Sequence, residues 1–132
     1  VVALTKLRLV KLRIPPFAAL LNQQAGFALA LAKLEANRLR DLNRRFALQT
    51  ADATTRLLGA LSYLARKSSA DDDLKAPIPP LAQQEIALIA GLARETASRT
   101  LSKLRQRGTV NEDNGRLSLV DLKPLEKRGL ID

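Results

Sequence analysis

Glu95 precedes Ser98 by three residues and Arg99 by four, and Arg94 precedes Ser98 by four, which places all of them along one face of a helix. An arginine can donate two hydrogen bonds to guanine O6 and N7, and a glutamate can accept one from cytosine N4. A serine can contact a base or a phosphate. This chemistry predicts a helix that reads base edges in the major groove of DNA. The alternative is a solvated charged face on an ordinary surface helix, and the spacing alone leaves the two nearly even.

These side chains belong to the second of two predicted helices, which are joined by a tight turn. Residues 83–90 and about 94–107 each show apolar residues at helical spacing, and Gly91 stands where the turn needs a residue that tolerates positive φ. The inward stripe of the second helix is expected to consist of Ala97, Leu101 and Leu104. Helix, glycine turn and helix in this order favour the DNA interpretation.

A β-hairpin is predicted after the second helix, which Gly108 ends. Asn114-Gly115 lies between two short β-prone runs, and this dipeptide is typical of a two-residue hairpin turn. Leu117 and Leu119 share one strand face and should point towards the helices. Contacts to phosphates, which position a protein on DNA without specifying sequence, are expected from Gln83, Gln84, Lys103, Arg105 and Arg116.

The composition favours a polyanionic partner and argues against an enzyme. The chain has 132 residues, a formal net charge of +9 and no cysteine or histidine. Disulfides, thiolate metal clusters and histidine-based catalysis are therefore excluded for this stretch, and no carboxylate pair lies in a cleft-like apolar context. The triplet Asp71-Asp72-Asp73 lacks the glycine and glutamate of a calcium loop, so we expect a solvated loop within the linker 67–80.

The run QQEIALIAGLARETASRTLSKLRQRG resembles the DNA-binding domain of the Crp/Fnr family of bacterial transcription regulators. Its most specific part, Arg94-Glu95-Thr96-Ala97-Ser98-Arg99, is similar to the R-E-T-x-x-R recognition helix of that family. The resemblance implies a winged helix-turn-helix in which both arginines and the glutamate of this motif contact bases, and in which the hairpin is the wing. Ala82 and Ala93 depart from the family pattern, which usually has Ser or Thr at these positions to cap the helices.

The first 22 residues are similar to the end of a larger β-structure. Val1–Ile14 alternates apolar and charged residues as strands do, with a slip at Leu9-Val10. The run VVALTKLRLVKLRIPPFAALL resembles the last strands of the family's cyclic-nucleotide-binding β-roll and the short helix after it. We therefore expect a fragment, or a chain that lost its sensor; the alternative is a short protein whose strands pair across a dimer. No cofactor is expected in this stretch, and a cyclic nucleotide or other small effector is expected only in the full-length protein, with no effector-binding residue assigned.

Residues 23–50 are predicted to contain one long helix with two apolar edges. One edge contains Ala28, Ala32, Leu39, Leu42 and Phe46, and the other contains Phe27, Leu31 and Leu34. A helix with two apolar edges usually has two partners, and the family uses this helix to form dimers. A single helix packed on one core is the alternative. Asp52 should cap the following helix, which is expected to run to about Lys67.

These expectations describe a mainly α fold with small β parts. It consists of a β-roll remnant (1–22), a dimerisation helix (23–50) and a winged helix-turn-helix (51–132). The expected function is a sequence-specific, dimeric DNA-binding transcription regulator acting on palindromic operators. Its expected partners are double-stranded DNA and a second copy of the chain, and the resemblance adds RNA polymerase as a candidate. No membrane partner is expected, and the protein should be cytoplasmic. The alternatives are a winged-helix protein-interaction module and a non-specific nucleic-acid binder.

Overall fold

The computed structural model describes residues 6–131, without the side chains of Arg44 and Arg45. The chain divides into two compact units between Phe46 and Ala47. In chain order, the elements are α1 (Ile14–Gln23), α2 (Ala25–Ala47), a short 3-10 helix (Leu48–Thr50), α3 (Ala53–Ser68), α4 (Gln83–Ala90), α5 (Arg94–Gln106), β1 (Val110–Asp113), β2 (Arg116–Leu119) and α6 (Lys123–Glu126). The predicted mainly α fold with a small sheet is confirmed.

The strand predicted over Val1–Ile14 is wrong for the part that the structure describes. Residues 6–13 have no regular secondary structure, and Ile14 is already the first residue of α1. A strand is stable only when a neighbouring strand accepts and donates its backbone hydrogen bonds, and alternation along a sequence does not supply that neighbour. Residues 1–5 lie outside the described residues. The short helix expected after these residues is present as α1, with proline in its first turn.

The long helix α2 carries most of its apolar side chains on the surface of the single chain. Its first turns contact α1, where the rings of Phe17 and Phe27 meet edge to face with centroids 5.8 Å apart. Further along, Leu39 and Leu42 are more than half exposed and Phe46 is 73% exposed. Large apolar side chains concentrated on one helix are characteristic of a surface that is covered by a partner.

Asp52 caps α3 as the sequence predicts. Its Oδ1 accepts hydrogen bonds from the amides of Thr54 and Thr55 at 2.8 and 3.1 Å, and its Oδ2 accepts one from the Thr55 hydroxyl at 2.7 Å. These bonds, led by that of the Thr55 hydroxyl, lower the pKa of the Asp52 carboxyl below its ordinary value of 3.8. They also satisfy amides that would otherwise lack partners in the first turn.

Replacing Asp52 by Ala should lower the free energy of unfolding by about 1 kcal/mol at neutral pH. A carboxyl whose pKa is lower in the folded state stabilises the protein above its unfolded-state pKa, and this contribution is lost as the pH falls through the folded-state value. The difference between wild type and Asp52→Ala should therefore shrink below pH 3.8. Urea unfolding across pH measures it. Asp52→Asn keeps a capping acceptor without the charge. The pH-dependent part of the unfolding free energy that Asp52 contributes should therefore be lost equally in Asp52→Ala and Asp52→Asn. If wild type and Asp52→Ala differed in unfolding free energy by the same amount at every pH, this account would be contradicted.

The core of the second unit forms around α3. Leu57, Leu58 and Leu61 are fully buried, as expected from their spacing, and α3 contacts α4, α5, β2 and α6. Residues from each of these elements join the same apolar cluster, among them Ile86, Leu101, Leu119 and Leu125. One continuous core therefore fixes the positions of both helices of the predicted helix-turn-helix relative to the hairpin.

The hairpin has the register that its turn dictates. Val110 pairs with Leu119 and Asp113 with Arg116, which leaves Asn114 and Gly115 as the two turn residues. Both have positive φ, 49° and 73°, as a type I′ turn requires. Leu117 and Leu119 are buried, as predicted. The amide of Ile78, which lies in the linker, donates to the Leu117 carbonyl at 2.8 Å and so attaches the linker to β2 without forming a further strand.

The linker and the helices carry neither a metal site nor a membrane span among residues 6–131. Asp71, Asp72 and Asp73 are exposed, and no group of three or more acidic, histidine or cysteine side chains in the described chain could hold a metal ion. None of the helices in that range is both long and apolar enough to cross a membrane.

Candidate nucleic-acid interface

The turn between α4 and α5 is built on Gly91. This residue has φ +63°, and its amide donates to the Leu88 carbonyl at 3.1 Å. The amide of Leu92 donates to the Ala87 carbonyl at 2.9 Å, which completes a Schellman motif. Leu92 then packs against the core and directs the chain into α5. The predicted helix, glycine turn and helix are therefore present with the expected backbone conformation at Gly91.

Arg56 of α3 supports this turn, and sequence reasoning missed it. Its Nε donates to the Ala90 carbonyl at 3.1 Å, and its Nη2 donates to the Gly91 carbonyl. A cation at the C-terminal carbonyls of a helix also interacts favourably with the helix dipole. Because 34 residues separate Arg56 from Ala90, no local pattern signals this contact. Arg56 positions the turn and, through it, the start of α5.

Gly91→Ala should lower the free energy of unfolding by more than the roughly 1–2 kcal/mol expected from left-handed backbone strain alone. A Cβ at Gly91 would lie 2.5 Å from Arg56 Nη2, so the guanidinium would have to leave the two carbonyls. Gly129→Ala is the matched control, because Gly129 has φ +64° with no neighbouring atom within 4 Å of an added Cβ. Urea unfolding of both variants measures the difference. Equal losses of unfolding free energy in the two variants would show that the Arg56 contact contributes nothing to stability.

The two faces of α5 differ as the sequence predicts. Ala97, Leu101 and Leu104 are each only 3% exposed and anchor the helix in the core. Arg94, Glu95 and Arg99 are exposed on the other side, and Ser98 is half-buried between the two faces. No hydrogen bond or ion pair joins the side chains of Arg94, Glu95 or Arg99 to any residue between 6 and 131. Their polar groups are therefore available to a ligand.

The N-termini of both helices lack a side-chain cap, as Ala82 and Ala93 imply. Alanine has no acceptor, so neither residue can bond the amides of the turn that follows it. At α4 only the reciprocal half of a capping box exists, in which the Glu85 carboxylate accepts from the Ala82 amide at 2.8 Å. The first amides of α5 remain open to an external acceptor, as helix N-termini that bind anions are.

The residues predicted to contact phosphates fall into two groups. Gln83 and Gln84 are exposed in the first turn of α4, Lys103 is exposed on α5, and Arg116 is exposed where β2 starts. The side chains of these four residues make no hydrogen bond or ion pair within the described sequence. Arg105 differs, because its Nη2 forms an ion pair with Glu112 of β1.

The Arg105–Glu112 ion pair connects the second helix to the hairpin. Both side chains are about one-third exposed, and Arg105 Nε is buried without a hydrogen-bond partner in the part of the chain that the structure describes. No sequence pattern signals this pair, since it depends on how the hairpin folds back onto α5. Pairing makes Arg105 less available to a phosphate than Lys103 is.

A family model agrees with this geometry. The model of the Crp-like helix-turn-helix domain matches residues 55–128, more than half of the chain. This range begins in α3, includes α4, α5 and the hairpin, and ends just after α6. A comparison with curated protein sequences finds no match.

Solved structures provide further comparisons. TTHB099, a CRP-family transcriptional regulator from Thermus thermophilus, is 29% identical with a TM-score of 0.55, over 73% of this chain and 50% of that one. A CooA mutant from Carboxydothermus hydrogenoformans is 26% identical with a TM-score of 0.67, over 85% and 53%. FixK2 from Bradyrhizobium japonicum, at 21% identity and a TM-score of 0.70 over 85% and 56%, shares the fold.

The comparisons agree with the sequence interpretation. The chain spans about half the length of each of these solved proteins. Members of the matched family are regulators of transcription and not enzymes, which agrees with the prediction that the chain is not an enzyme. The family model, the solved relatives and the R-E-T-x-x-R helix together show that this chain belongs to the Crp/Fnr family of transcription regulators.

Proposed function

We propose that the protein is a sequence-specific DNA-binding transcription regulator that acts as a homodimer on a palindromic operator. The observation that carries this proposal is the two-faced helix α5, with Ala97, Leu101 and Leu104 in the core and unpartnered Arg94, Glu95 and Arg99 on the surface. A helix held from behind by a rigid core can enter the major groove without reorganising its own packing.

Base recognition is assigned to the start of α5. Arg94 and Arg99 can each donate two parallel hydrogen bonds to a guanine, and Glu95 can accept one from a cytosine. Ser98 is half-buried and short, so it can contact only a base that lies close to the α5 backbone. This donor and acceptor set favours half-sites that contain G·C pairs. The exposed side chains of Gln83, Gln84, Lys103 and Arg116 then bind phosphates on either side. Arg105 is expected to contribute less, because Glu112 already neutralises part of its charge.

Dimerisation is assigned to α2. Leu39, Leu42 and Phe46 follow a three-then-four spacing, and all are more than half exposed in the single chain. A second copy of α2 packed against this stripe would bury them as a short coiled coil does. Two copies would present two α5 helices to successive major grooves about 10 bp apart, which matches a palindrome. The predicted division into a sensor remnant, this helix and a DNA-binding domain stays a prediction.

The cellular location and the further partners of the protein follow from the same proposal. A regulator that reads chromosomal DNA in a bacterium works in the cytoplasm, so we assign the protein to that compartment. RNA polymerase is a candidate further partner, since regulators of transcription act through it. A small effector, if the full-length protein has one, would bind outside the residues assigned here.

The test is fluorescence anisotropy of the protein on a pool of palindromic duplexes at several salt concentrations. We expect one palindrome to be selected and this selection to be lost in Arg99→Ala, while the exposed control Arg8→Ala retains it. Uniform, salt-sensitive binding to every duplex would instead support the non-specific binder. No binding at all would support the protein-interaction module, because the same fold can present a helix to a protein.

The dimer is tested separately by sedimentation of Leu39→Glu beside wild type. A carboxylate in the centre of an apolar seam should be costly to bury, so the variant should sediment as a monomer and lose affinity for the two-half-site duplex. Leu29→Glu is a control on the same helix, since exposed Leu29 lies outside both predicted edges. A Leu39→Glu variant that still sediments as a dimer would refute the assignment of the interface to this stripe.

A further inference from the structure

A cleft of about 520 Å³ opens beside the C-terminal end of α5, away from the residues assigned to bases. Three segments line the cleft. They are Thr54 of α3, the end of α5 and the residues after it (Leu104, Arg107 and Thr109), and α6 with the residues after it (Lys123, Pro124, Lys127 and Arg128). Arg94 and Arg107 are about 20 Å apart along the helix axis, at a rise of about 1.5 Å per residue. The cleft is therefore distinct from the proposed base-reading surface.

The cleft is positively charged and has no acidic lining residue. Four of its lining side chains are cations: Arg107, Lys123, Lys127 and Arg128. All four are exposed, and within residues 6–131 only Arg128 bonds a protein acceptor, the Pro124 carbonyl at 2.9 Å. Asp52 is close enough for the Arg128 charge to act on its carboxyl, but both of its oxygens already accept bonds from the start of α3. The excess of cations is thus not neutralised by any residue in the range that the structure describes.

Thr109 adds a neutral polar side chain to the lining of the cleft. This residue is only 2% exposed, and its amide and carbonyl are bonded to Leu104, Val120 and Asp121. Thr109 lines the cleft, and its hydroxyl makes no hydrogen bond with any residue that the structure describes. The hydroxyl can therefore donate to an acceptor bound in the cleft.

We propose that this cleft binds a phosphate group carried by an organic molecule. Arginine and lysine side chains form charge-assisted hydrogen bonds with phosphate oxygens, and the Thr109 hydroxyl adds a neutral donor. Half-buried Pro124 gives the cleft an apolar wall, which an inorganic ion would leave uncovered. The volume lies in the range of sites for small organic ligands.

The main opposing effect is the dipole of α5, whose C-terminal end is adjacent to the cleft. It corresponds to about half a negative charge and acts only over the last turn. Two carbonyls of that turn are already bonded, since the amides of Gly108 and Thr109 donate to Arg105 and Leu104. Four full positive charges outweigh this dipole, so the local potential remains favourable for an anion.

The experiment is a titration of the isotopically labelled protein by two-dimensional NMR, with adenosine 5′-monophosphate as the probe. Adenosine lacks the phosphate and inorganic phosphate lacks the organic part, so both serve as comparison ligands. We expect saturable shifts confined to Thr54, Thr109, Arg107 and the α6 region, with the monophosphate binding more tightly than either comparison ligand. Shifts spread over lysines and arginines throughout the chain would overturn the proposal.

The variant for this titration is the double substitution Lys123→Gln with Lys127→Gln, both at exposed positions. It should weaken monophosphate binding by about tenfold or more, which corresponds to about 1.4 kcal/mol. The matched control is Lys33→Gln with Lys75→Gln, which removes the same charge from exposed positions outside the cleft. Equal weakening in the two double variants would show general charge attraction and would refute a built site.

The phosphate could come from a free molecule or from the DNA backbone, and a DNA titration distinguishes the two sources. If DNA supplies it, the cleft variant should lower duplex affinity and reduce the salt slope by about 0.9 for each lost contact, and the monophosphate should compete with the duplex. If a free molecule supplies it, duplex affinity should be unchanged in the cleft variant. The monophosphate titration itself needs no DNA, so its result is independent of the proposed operator binding.

Discussion

Leu61→Ala is expected to lower the free energy of unfolding by about 2–5 kcal/mol, the largest stability change expected among the single substitutions considered. Leu61 is fully buried in α3, the helix that contacts α4, α5 and the hairpin. Truncating it removes apolar contacts and leaves a cavity that backbone elements fixed on several sides cannot collapse to fill. Urea unfolding followed by circular dichroism, at one fixed protein concentration, measures the change.

Leu88→Ala provides the matched control for this substitution. Leu88 lies on α4 of the same unit but is 80% exposed, so the same side-chain truncation should change the free energy of unfolding by no more than about 0.5 kcal/mol. A similar loss in the two variants would mean that Leu88 is covered in solution, by a partner or a second copy. A small loss in Leu61→Ala would contradict the packing of α3 itself.

Arg94→Ala should reduce affinity for the selected operator by about 1–3 kcal/mol and relax discrimination at one base pair. Arg94 is exposed in the first turn of α5, where a side chain reaches base edges when the helix enters the major groove. Anisotropy titrations against the operator and against duplexes substituted at single positions measure both effects. Binding to scrambled DNA should change far less than binding to the operator.

Lys103→Ala is the comparison that separates reading from positioning. Lys103 is exposed about two and a half turns further along α5. It is assigned to a phosphate, so its loss should weaken binding to all duplexes alike and reduce the salt slope by about 1. If both substitutions altered specific and scrambled DNA to the same extent, the division of roles along α5 would be wrong. The folded state should be unaffected in either variant, since neither side chain bonds a described residue.

The features that the sequence predicted correctly are those that a few neighbouring residues determine. Asn114-Gly115 accommodates two successive positive φ values, Gly91 accommodates one, and Asp52 bonds amides only two and three residues away. The buried stripe of α5 follows from its helical period. The exposure of Arg94, Glu95 and Arg99 follows in the same way, because they occupy the face opposite to this stripe.

The features that the sequence could not predict depend on contacts between distant segments. Residues 6–13 alternate like a strand, but their local pattern could not supply the neighbouring strand that a sheet requires. Arg56 reaches a turn 34 residues away, and the cleft brings Thr54 together with Lys127. Charged residues on helix surfaces satisfy the same local pattern whether they are solvated or bound, so the sequence pattern does not distinguish the two.

The hairpin is held in place before any ligand arrives, which affects the entropy of association. Two strands of four residues are marginally stable by themselves, yet this pair is fixed by buried Leu119, by the Ile78 amide and by the Arg105–Glu112 ion pair. A flexible loop would lose conformational freedom on binding, and that loss would subtract from the affinity. A preorganised hairpin loses little, so contacts made by Arg116 should contribute nearly their full free energy to binding.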